Sequence, residues 1–198
     1  MHIKGDIKIP SRWSFIILGT IGIILASLIS FFLVLATPTQ NSYIGLALLT
    51  SPALPTRLEI PAINVDASLE YVGLTSSGAI AVPKGPTDAA WFYLGPSPGE
   101  TGSAVIVGHD GWEKGIPAVF DNLYKLKKGD KIYVESDTGM ITTFVVSSTR
   151  LYNQHADAAA VFNSSDGKAH LNLITCEGIW NPATQSYSNR IVVFADKV

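Results

Sequence analysis

Residues 130–152, DKIYVESDTGMITTFVVSSTRLY, predict a β-hairpin and with it the fold class. β-Branched and aromatic residues are frequent in both halves of the stretch, and such residues favour strands. Asp137, Thr138 and Gly139 lie between the halves and supply the short glycine-containing turn that a hairpin needs. The stretch therefore indicates antiparallel β-structure.

Strand-like stretches continue on both sides of this hairpin. They are RLEIPAINVDASLEYVG at 57–73 (broken at Pro61), AIAVP at 79–83, SAVIVGHD at 103–110, HLNLITC at 170–176 and RIVVFADKV at 190–198. Helical periodicity is weak and is confined to 118–126 and 156–162. Seven or eight short strands separated by turn signals predict an all-β barrel or sandwich with short helices.

Residues 14–36 form an apolar block that contains no charge. As a helix the block would extend about 34 Å, enough to cross a bilayer core of about 30 Å. A cleaved signal peptide is the alternative, since Val34 and Ala36 suit its cleavage site. Because signal-peptide cores have only about 7–15 apolar residues, we expect an uncleaved N-terminal transmembrane helix.

Basic residues orient this expected helix. Lys4, Lys8 and Arg12 precede the apolar block, and the next Lys or Arg is Arg57. The positive-inside rule then predicts a single-pass cell-membrane protein with a cytoplasmic N-terminus and an extracellular catalytic domain. The expected divisions are a cytoplasmic tail at 1–13, the anchor at 14–36, a Pro-, Thr- and Ser-rich linker at 37–56 and a β-domain at 57–198.

Charge and motif content exclude several functions. The net charge of −2 gives no electrostatic reason to expect a nucleic-acid partner. The sequence has no glycine-rich nucleotide loop, no CxxC pair and no histidine spacing typical of zinc sites. We therefore expect no cofactor and no metal, and calcium dependence stays open because acidic residues are scattered through the β-domain.

Cys176 is the only cysteine of the chain. An odd cysteine in an exported protein is buried and inert, bonded to another chain, or reactive. Strand alternation in LNLITC places Leu171 and Leu173 on one face and Cys176 on the other. Because the leucines are expected in the core, the thiol should point away from it, which favours a reactive cysteine.

A reactive thiol needs a base or a cation nearby, because the thiolate is the nucleophile. His109 ends an apolar strand and has glycines on both sides, so its side chain can reach into a cleft. His155 lies in a polar loop, and His170 begins the cysteine strand about 20 Å from the thiol. His109 is therefore the expected partner.

Arg190 opens the strand that follows the cysteine strand. If the two strands are neighbours, the guanidinium lies beside the thiol, where it can bind a substrate carbonyl or a developing oxyanion. Its charge would also favour the thiolate. The alternative is an ordinary surface arginine at a strand edge.

Three motifs in the order His, Cys, Arg, namely GHDG, LITCEG and SYSNRIVV, resemble the sortases, the membrane-anchored cysteine transpeptidases of mostly Gram-positive bacterial surfaces. The resemblance runs from Arg57 to the C-terminus and is greatest to class F and to class D or E. Asn172 departs from the family's frequent Thr-Leu-x-Thr-Cys pattern. An Asp-Pro-Trp lid and a second hydrophobic segment are both lacking, which argues against the pilus-polymerising class C.

The resemblance implies a closed eight-stranded sortase-type β-barrel and a thiol-protease-like chemistry used for surface protein anchoring. Cys176 would attack the Thr–Gly carbonyl of an LPxTG-like sorting signal and form a thioacyl enzyme. His109 would protonate the leaving amine and then activate an amine acceptor such as a peptidoglycan precursor. Arg190 would hold the substrate carbonyl and stabilise the oxyanion.

Five further residues are candidates for the substrate groove. The backbone N–H of Glu177 is a candidate oxyanion donor. Trp180 could pack against the peptide or sit at the rim or in the core, and Val105 and Val107 could line the groove floor or pack in the core. Thr175 adjoins the thiol but faces away from it by alternation, which leaves its part in binding open.

Two other functions compete with a sortase. One is a different cysteine acyl-transfer enzyme of the wall, but papain-like wall hydrolases place the cysteine before the histidine, and LITCEG lacks the Ser-x-Gly-Cys pattern of L,D-transpeptidases. The other is a non-catalytic barrel that binds sorting peptides or wall polymer. The presence of Cys176, His109 and Arg190 together argues against it.

Overall fold

The computed structural model describes residues 53–153, 155–183 and 186–198. The expected cytoplasmic tail, the anchor at 14–36 and most of the linker lie outside the described residues. None of the helices in the described ranges has the length and hydropathy needed to cross a membrane.

Eight strands close into one barrel, as expected from the sequence. They are β1 (Pro55–Ile60), β2 (Val65–Val72), β3 (Ala89–Phe92), β4 (Gly102–Val107), β5 (Lys131–Ser136), β6 (Ile141–Asn153), β7 (Ala169–Asn181) and β8 (Ser186–Lys197). Their order around the barrel is β1-β2-β3-β4-β7-β8-β6-β5. The pairs β2–β3 and β4–β7 are parallel, and the other pairs are antiparallel.

The helical elements are short. Among the described residues they are one α-helix, α1 (Ala159–Phe162), and three separate 3-10 turns at Pro61–Ile63, Glu113–Gly115 and Leu123–Lys125. The helix expected at 118–126 is therefore reduced to its last turn. The backbone N–H of Phe120, ahead of this turn, donates to the carbonyl of His109.

The first strand begins inside the stretch that the sequence assigned to the linker. Pro55 pairs with Ser136 of β5. Just before it, the Leu54 N–H donates to Asp137 Oδ1 at 3.0 Å, and the Asp137 N–H donates to the Leu54 carbonyl at 2.8 Å. These bonds order the chain ahead of the boundary placed at Arg57.

Alternating side chains fill the barrel interior. Leu171 and Leu173 of β7 are fully buried there, together with Ile106 of β4 and Val193 of β8. Burying each such aliphatic side chain contributes about 1.5–3 kcal/mol. The interior therefore supplies the main stabilisation and fixes the register of β7, because a slip of one residue would expose the leucines.

A second apolar cluster covers the outside of β3 and β4. It contains Val72, Ala90, Val105 and Val107, with Ile174 and the loop residues Ile80 and Ala81 packed against it. Strand β4 is therefore buried on both faces, which explains its nearly continuous run of apolar residues. This outer cluster forms the floor on which the functional site rests.

The sequence predicted the β5–β6 hairpin better than the β7–β8 hairpin. The β5–β6 turn is confirmed, since the Gly139 N–H donates to the Ser136 carbonyl at 2.9 Å. The strands predicted at 170–176 and 190–198 are too short, because β7 continues to Asn181 and β8 already starts at Ser186. Trp180 pairs with Tyr187, and Gly178 absorbs a bulge with a φ of 90°.

Candidate active site

Strand register brings Cys176 and Arg190 side by side. They are direct partners across β7 and β8. On the other side of β8, Tyr152 of β6 is the partner of Arg190. A thiol, a guanidinium and a phenol thus form one row across three adjacent strands, with Cys176 inside β7 and not at its end.

His109 reaches the same row from β4. The parallel β4–β7 pairing ends with Val107 opposite Ile174, and the Gly108 N–H donates to the Ile174 carbonyl at 3.1 Å. The same offset carries His109 to the level of Cys176. By this register, the backbone positions of His109, Cys176 and Arg190, which the sequence selected, lie at one level of three adjacent segments of the barrel.

Thr175 holds the backbone that precedes the histidine. Its hydroxyl donates to the Gly108 carbonyl at 2.8 Å, and its side chain is buried. The hydroxyl of Thr175 is thus directed at Gly108, and the residue also lines the cavity beside Cys176. Its contact fixes the position from which His109 leaves β4.

Gly108 is required by the tight packing of this turn. A Cβ at this position would overlap the Phe120 ring and lie 2.6 Å from Val119 Cγ1. The Phe120 N–H also donates to the His109 carbonyl at 3.0 Å. The backbone at 108–109 is therefore wedged between β7 and the segment that carries Phe120.

The His109 ring is fixed from two sides. Its Nε2 donates to the Pro83 carbonyl at 2.9 Å, and its edge meets the Trp112 ring with centroids 4.7 Å apart. Because a carbonyl only accepts, Nε2 carries a proton, which leaves Nδ1 as the nitrogen able to take up or release one.

The Arg190 guanidinium is held by its own strand. Nη1 donates to the carbonyls of Tyr187 at 2.9 Å and Asn189 at 2.7 Å, and Nη2 donates to Ser186 Oγ at 3.0 Å. These bonds keep a half-buried cation beside the thiol. A guanidinium has five N–H groups, so such a cation can also bind a carbonyl oxygen.

Opposing effects act on the Cys176 thiol. Burial raises its pKa, the positive charge of Arg190 lowers it, and the negative charge of Asp110 raises it. The net shift is upward, so the thiol is mostly protonated at neutral pH. Attack on a carbonyl therefore needs a nearby base such as His109.

An apolar cavity of about 270 Å³ lies beside Cys176 and Arg190. Its walls come from the loop after β2, from β4 and β7, and from α1. The apolar residues that line it include Ile80, Val82, Val107, Val161, Phe162 and Ile174. We call this space the apolar cavity; its size and lining suit an aliphatic side chain next to the thiol.

A second cavity, of about 510 Å³, is lined by Asp110, Asp121, Tyr124, Leu151, Glu177 and Ile191. Burial raises the pKa of Asp110, and the carboxylates of Asp121 and Glu177 add to this effect. No group of metal-ligating side chains is suitably placed in the described part of the chain. Asp110 is thus more than a turn residue, because its charge acts on the thiol.

The remaining candidates for the substrate groove lie in different surroundings. Val107 lines the apolar cavity, whereas Val105 is buried and borders a neighbouring cavity with Phe162. Trp180 is half-exposed on the β7–β8 hairpin, with its ring 5.2 Å from that of Tyr187. Trp180 therefore takes the rim position that the sequence left as one of its alternatives.

Two further histidines are present in the described part of the chain. His155 is exposed in the segment before α1. His170 lies opposite Ser103 at the start of β7 and binds Asp166 and Asp196. Neither is placed to meet the thiol, which favours His109.

Two features of the site were missed from the sequence. Tyr152 joins the row only through the β6–β8 pairing, which depends on strand order around the closed barrel. The Pro83 carbonyl binds His109 through the backbone, and no side-chain pattern marks it. The terminal position of Tyr152 in an expected strand was the only available signal.

Comparisons with known proteins agree with this geometry. A sortase domain model matches residues 58–198. The fold is similar to sortase A from Corynebacterium diphtheriae (lid mutant), with 23% identity and a TM-score of 0.56 over 76% of this chain and 73% of that one. It is also similar to sortase C-1 from Actinomyces oris, with 24% identity and a TM-score of 0.55 over 82% of each chain.

Sortase C from Clostridium perfringens SM101 is a further structural neighbour, with 20% identity and a TM-score of 0.53 over 75% of this chain and 72% of that one. Identities this low indicate a shared fold. No curated protein gives a match to this sequence. The family assignment rests on the domain model, which spans the whole barrel after its first three residues: the chain belongs to the sortase family of cysteine transpeptidases.

Proposed function

We propose that the protein is a membrane-anchored sortase that cleaves an LPxTG-like sorting signal of surface proteins between Thr and Gly. It then transfers the new carboxyl terminus to an amine of the cell wall or of another protein. The observation that carries the proposal is the direct pairing of Cys176 with Arg190 at the mouth of the apolar cavity.

Peptide binding uses the cavity and the guanidinium. An aliphatic residue upstream of the scissile bond enters the apolar cavity, where burying it contributes about 1.5–3 kcal/mol. Arg190 donates an N–H to the scissile or the preceding carbonyl. The scissile carbonyl carbon then lies next to Cys176 Sγ.

Acylation begins when Nδ1 of His109 takes the thiol proton. The thiolate attacks the carbonyl carbon, an S–C bond forms, and the oxyanion accepts hydrogen bonds from Arg190 and from the Glu177 N–H. The C–N bond then breaks, and the leaving glycine amine takes the proton from His109. The product is a thioester between Cys176 and the threonine carboxyl.

Deacylation reverses the proton flow. The incoming amine loses a proton to His109 and attacks the thioester carbonyl. The C–S bond breaks, and the sulfur recovers the proton from His109. The same imidazole thus serves both half-reactions, and water in place of the amine gives hydrolysis.

The partners follow from the expected topology. The expected helix at 14–36 would hold the domain at the extracellular face of the cell membrane, where surface proteins and peptidoglycan precursors with free amines are present. The sorting-signal peptide and the amine acceptor are therefore the two substrates. No bound cofactor takes part in the steps above.

The test incubates the full-length chain with an LPxTG-like peptide, with and without an amine such as triglycine, and follows products by mass spectrometry. We expect cleavage at the Thr–Gly bond, a thioacyl adduct on Cys176 and a peptide–triglycine product. Cys176→Ala is the control and should give none of these. Cleavage by the alanine variant, or an adduct elsewhere, would contradict the thiol mechanism.

A further inference from the structure

Residues 155–168, which we call the β6–β7 segment, form one wall of the apolar cavity. They include α1, whose residues Val161 and Phe162 line that cavity. Val161 is almost fully buried, so the segment contributes real contact area to the wall. The position of this segment therefore sets the shape of the space beside the thiol.

Few polar contacts hold the β6–β7 segment on the barrel. Asn172 Nδ2 donates to the Val161 carbonyl at 2.6 Å, and the Gly102 N–H donates to the Lys168 carbonyl at 2.8 Å. The side-chain oxygen Oδ1 of Asn172 is buried without a hydrogen-bond partner among the described residues. The first contact thus holds α1, and the second holds the end of the segment.

Cavities also flank the segment on its barrel side. A space of about 420 Å³ borders Phe162, Asn163 and Ser164, and another of about 220 Å³ borders Asn163, Ser164 and Asn172. These spaces are open to solvent, so the segment packs against the barrel over only part of its inner side. Local release of the segment therefore costs less than opening a strand of the barrel.

His170 makes a further attachment near the end of the segment. Its Nδ1 donates to Asp196 Oδ1 at 2.8 Å, and its Nε2 donates to Asp166 at 3.0 Å for Oδ1 and 3.1 Å for Oδ2. Asp196 is its cross-strand partner on β8, whereas Asp166 belongs to the β6–β7 segment. The imidazole thus bridges the barrel and the segment.

The two contacts specify the charge of the ring. An ionised carboxylate only accepts hydrogen bonds, so both ring nitrogens must carry protons to keep both partners. A neutral imidazole has one N–H and must give up one of the two bonds. The bridge is complete only in the imidazolium form.

We propose that His170 is a positioning residue whose imidazolium fastens the β6–β7 segment to β7 and β8, so that deprotonation loosens the wall of the apolar cavity. This regulation of the active site rests on the proposed function, because the wall matters to catalysis only if the peptide binds there. The fastening itself is a property of the fold and can be measured without substrate.

The groups around His170 agree on the direction of the effect. Asp166 and Asp196 raise its pKa, and burial of the ring opposes them. Asp166 is itself held by Ser164 Oγ at 2.7 Å and by the Lys168 N–H at 3.0 Å, and its pKa lies well below the usual range. Its carboxylate is therefore ionised throughout the range in which the histidine titrates.

Other elements contribute no further acid to this cluster. From β4 the facing residue is the uncharged Ser103. From β6, Arg150 borders the same small cavity as His170, with its guanidinium carbon 5.2 Å from the centre of the Phe194 ring. This cation weakly opposes the imidazolium, and the two carboxylates in direct contact outweigh it.

The sign of the pH effect follows. The pKa of His170 in the folded protein is above its ordinary value of 6.5. The fastening is therefore complete below pH 6.5 and is lost as the pH rises through the folded pKa. Alkaline conditions should loosen the wall.

The first experiment is a histidine NMR titration of the full-length chain, with the His170 signal assigned by its loss in His170→Gln. We expect His170 to titrate above 6.5, and to titrate lower in Asp166→Asn. The control is His155→Gln, an exposed histidine of the same segment, which should leave the His170 titration unchanged. A His170 midpoint at or below 6.5 overturns the proposal.

The second experiment is hydrogen exchange in the same proteins, corrected for the intrinsic pH dependence. The Val161 and Asn163 amides bond within α1 to the carbonyls of Ala158 and Ala159. We expect their exchange to accelerate severalfold in His170→Gln and in Asp166→Asn, and to stay unchanged in His155→Gln. The proposal is overturned if these amides exchange at the same rate in the wild type, His170→Gln and Asp166→Asn. It is also overturned if His155→Gln accelerates their exchange as much as those two variants do.

The third experiment separates this inference from the proposed function. If the wild type cleaves the peptide, His170→Gln should raise KM severalfold with a smaller change in kcat, and the difference from wild type should shrink at alkaline pH. An unchanged KM at every pH overturns the inference and leaves the proposed function standing. A wild type that cleaves nothing defeats the proposed function, and the NMR and exchange results still decide the fastening.

Discussion

Cys176 is the residue on which opposite charges act most directly. Arg190 favours its thiolate, whereas burial and the carboxylate of Asp110 disfavour it. The net effect is a raised pKa, so the thiol is mostly protonated at neutral pH.

Asp110→Asn should make the thiol more reactive. Removing a negative charge lowers the pKa of Cys176, so alkylation by iodoacetamide should be severalfold faster near neutral pH. Arg190→Gln should act in the opposite direction, because it removes the charge that lowers this pKa. Since the chain has one cysteine, the alkylation rate against pH reports this site alone; the same profile in all three proteins would contradict the assignment.

Replacing His109 should affect turnover far more than replacing His155. We expect His109→Gln to lower kcat/KM for peptide cleavage by about 10²–10⁴-fold, the usual contribution of a general acid–base group. His155→Gln, with an exposed ring away from the thiol, is the matched control. Comparable losses in both variants would show that another group transfers the proton.

Arg190 should not tolerate lysine. The guanidinium holds three acceptors of β8 and lies beside the thiol, whereas an ammonium lacks the planar arrangement of N–H groups. We expect Arg190→Lys to lower kcat about 10²–10³-fold, as loss of an oxyanion donor does. Steady-state kinetics and a thermal melt of the same sample would test this, and a fully active lysine variant would exclude a catalytic part for Arg190.

At single residues, side-chain direction could be predicted where the alternation of a strand determines it. The outward direction of Cys176 followed from the buried leucines of its strand. The backbone contact of Pro83 could not be foreseen, because a carbonyl leaves no mark in the sequence. The resemblance to class F and to class D or E stays a prediction.

At the scale of elements, local signals and long-range pairing differ in what they reveal. The β5–β6 hairpin was evident because its turn and both strands are contiguous in the chain. The two strands of the β7–β8 hairpin were predicted too short, because Gly178 and Pro182 interrupt the strand pattern between them. The parallel β4–β7 pairing that brings His109 to Cys176 joins distant segments and has no local signal.

Gly108→Ala tests the junction of β4 with the site. The added methyl would overlap the Phe120 ring, and relieving such overpacking costs about 1–3 kcal/mol. We expect a lower free energy of unfolding and a larger loss in kcat than in KM, because the shift displaces His109. Chemical denaturation and peptide kinetics measure the two effects.

Gly85→Ala is the matched control for this substitution. Its Cβ would meet no atom within 4 Å and its φ is not in the left-handed region, so stability and kcat should change little. A Gly108→Ala protein as stable and active as the control would show that Phe120 can move aside without disturbing the histidine.

At the scale of the whole molecule, closure of the barrel makes one end of it a site. β6, β8, β7 and β4 are consecutive around the barrel, so residues from 109, 152, 176 and 190 meet although they are far apart in the chain. The sequence predicted the class of fold from its many short strands, and the resemblance to sortases supplied the barrel closure. The register that places Tyr152 beside Arg190 needed the structure.

The stability of the whole domain should depend on pH through the bridge between the β6–β7 segment and the barrel. The Asp166 carboxyl has a pKa below its ordinary value of 3.8, so its stabilisation is present above pH 3.8 and is lost as the pH falls through the folded pKa. His170 has a pKa above 6.5, so its stabilisation is present below pH 6.5 and is lost as the pH rises through the folded pKa. The bridge is therefore complete between pH 3.8 and 6.5.

Asp166→Asn should accordingly destabilise the domain most within that window. Urea denaturation of the wild type and the variant at a series of pH values measures the difference in the free energy of unfolding. We expect the difference to shrink as the pH falls below 3.8, because the Asp166 carboxyl of the unfolded chain takes up a proton there, and to shrink again above the folded pKa of His170. Asp157→Asn, on the same segment but with its carboxylate bound to the Ala159 N–H, should show no alkaline loss of this kind. A difference that stays constant with pH would mean that Asp166 acts through its turn with Ser164 and Lys168 and not through the imidazolium.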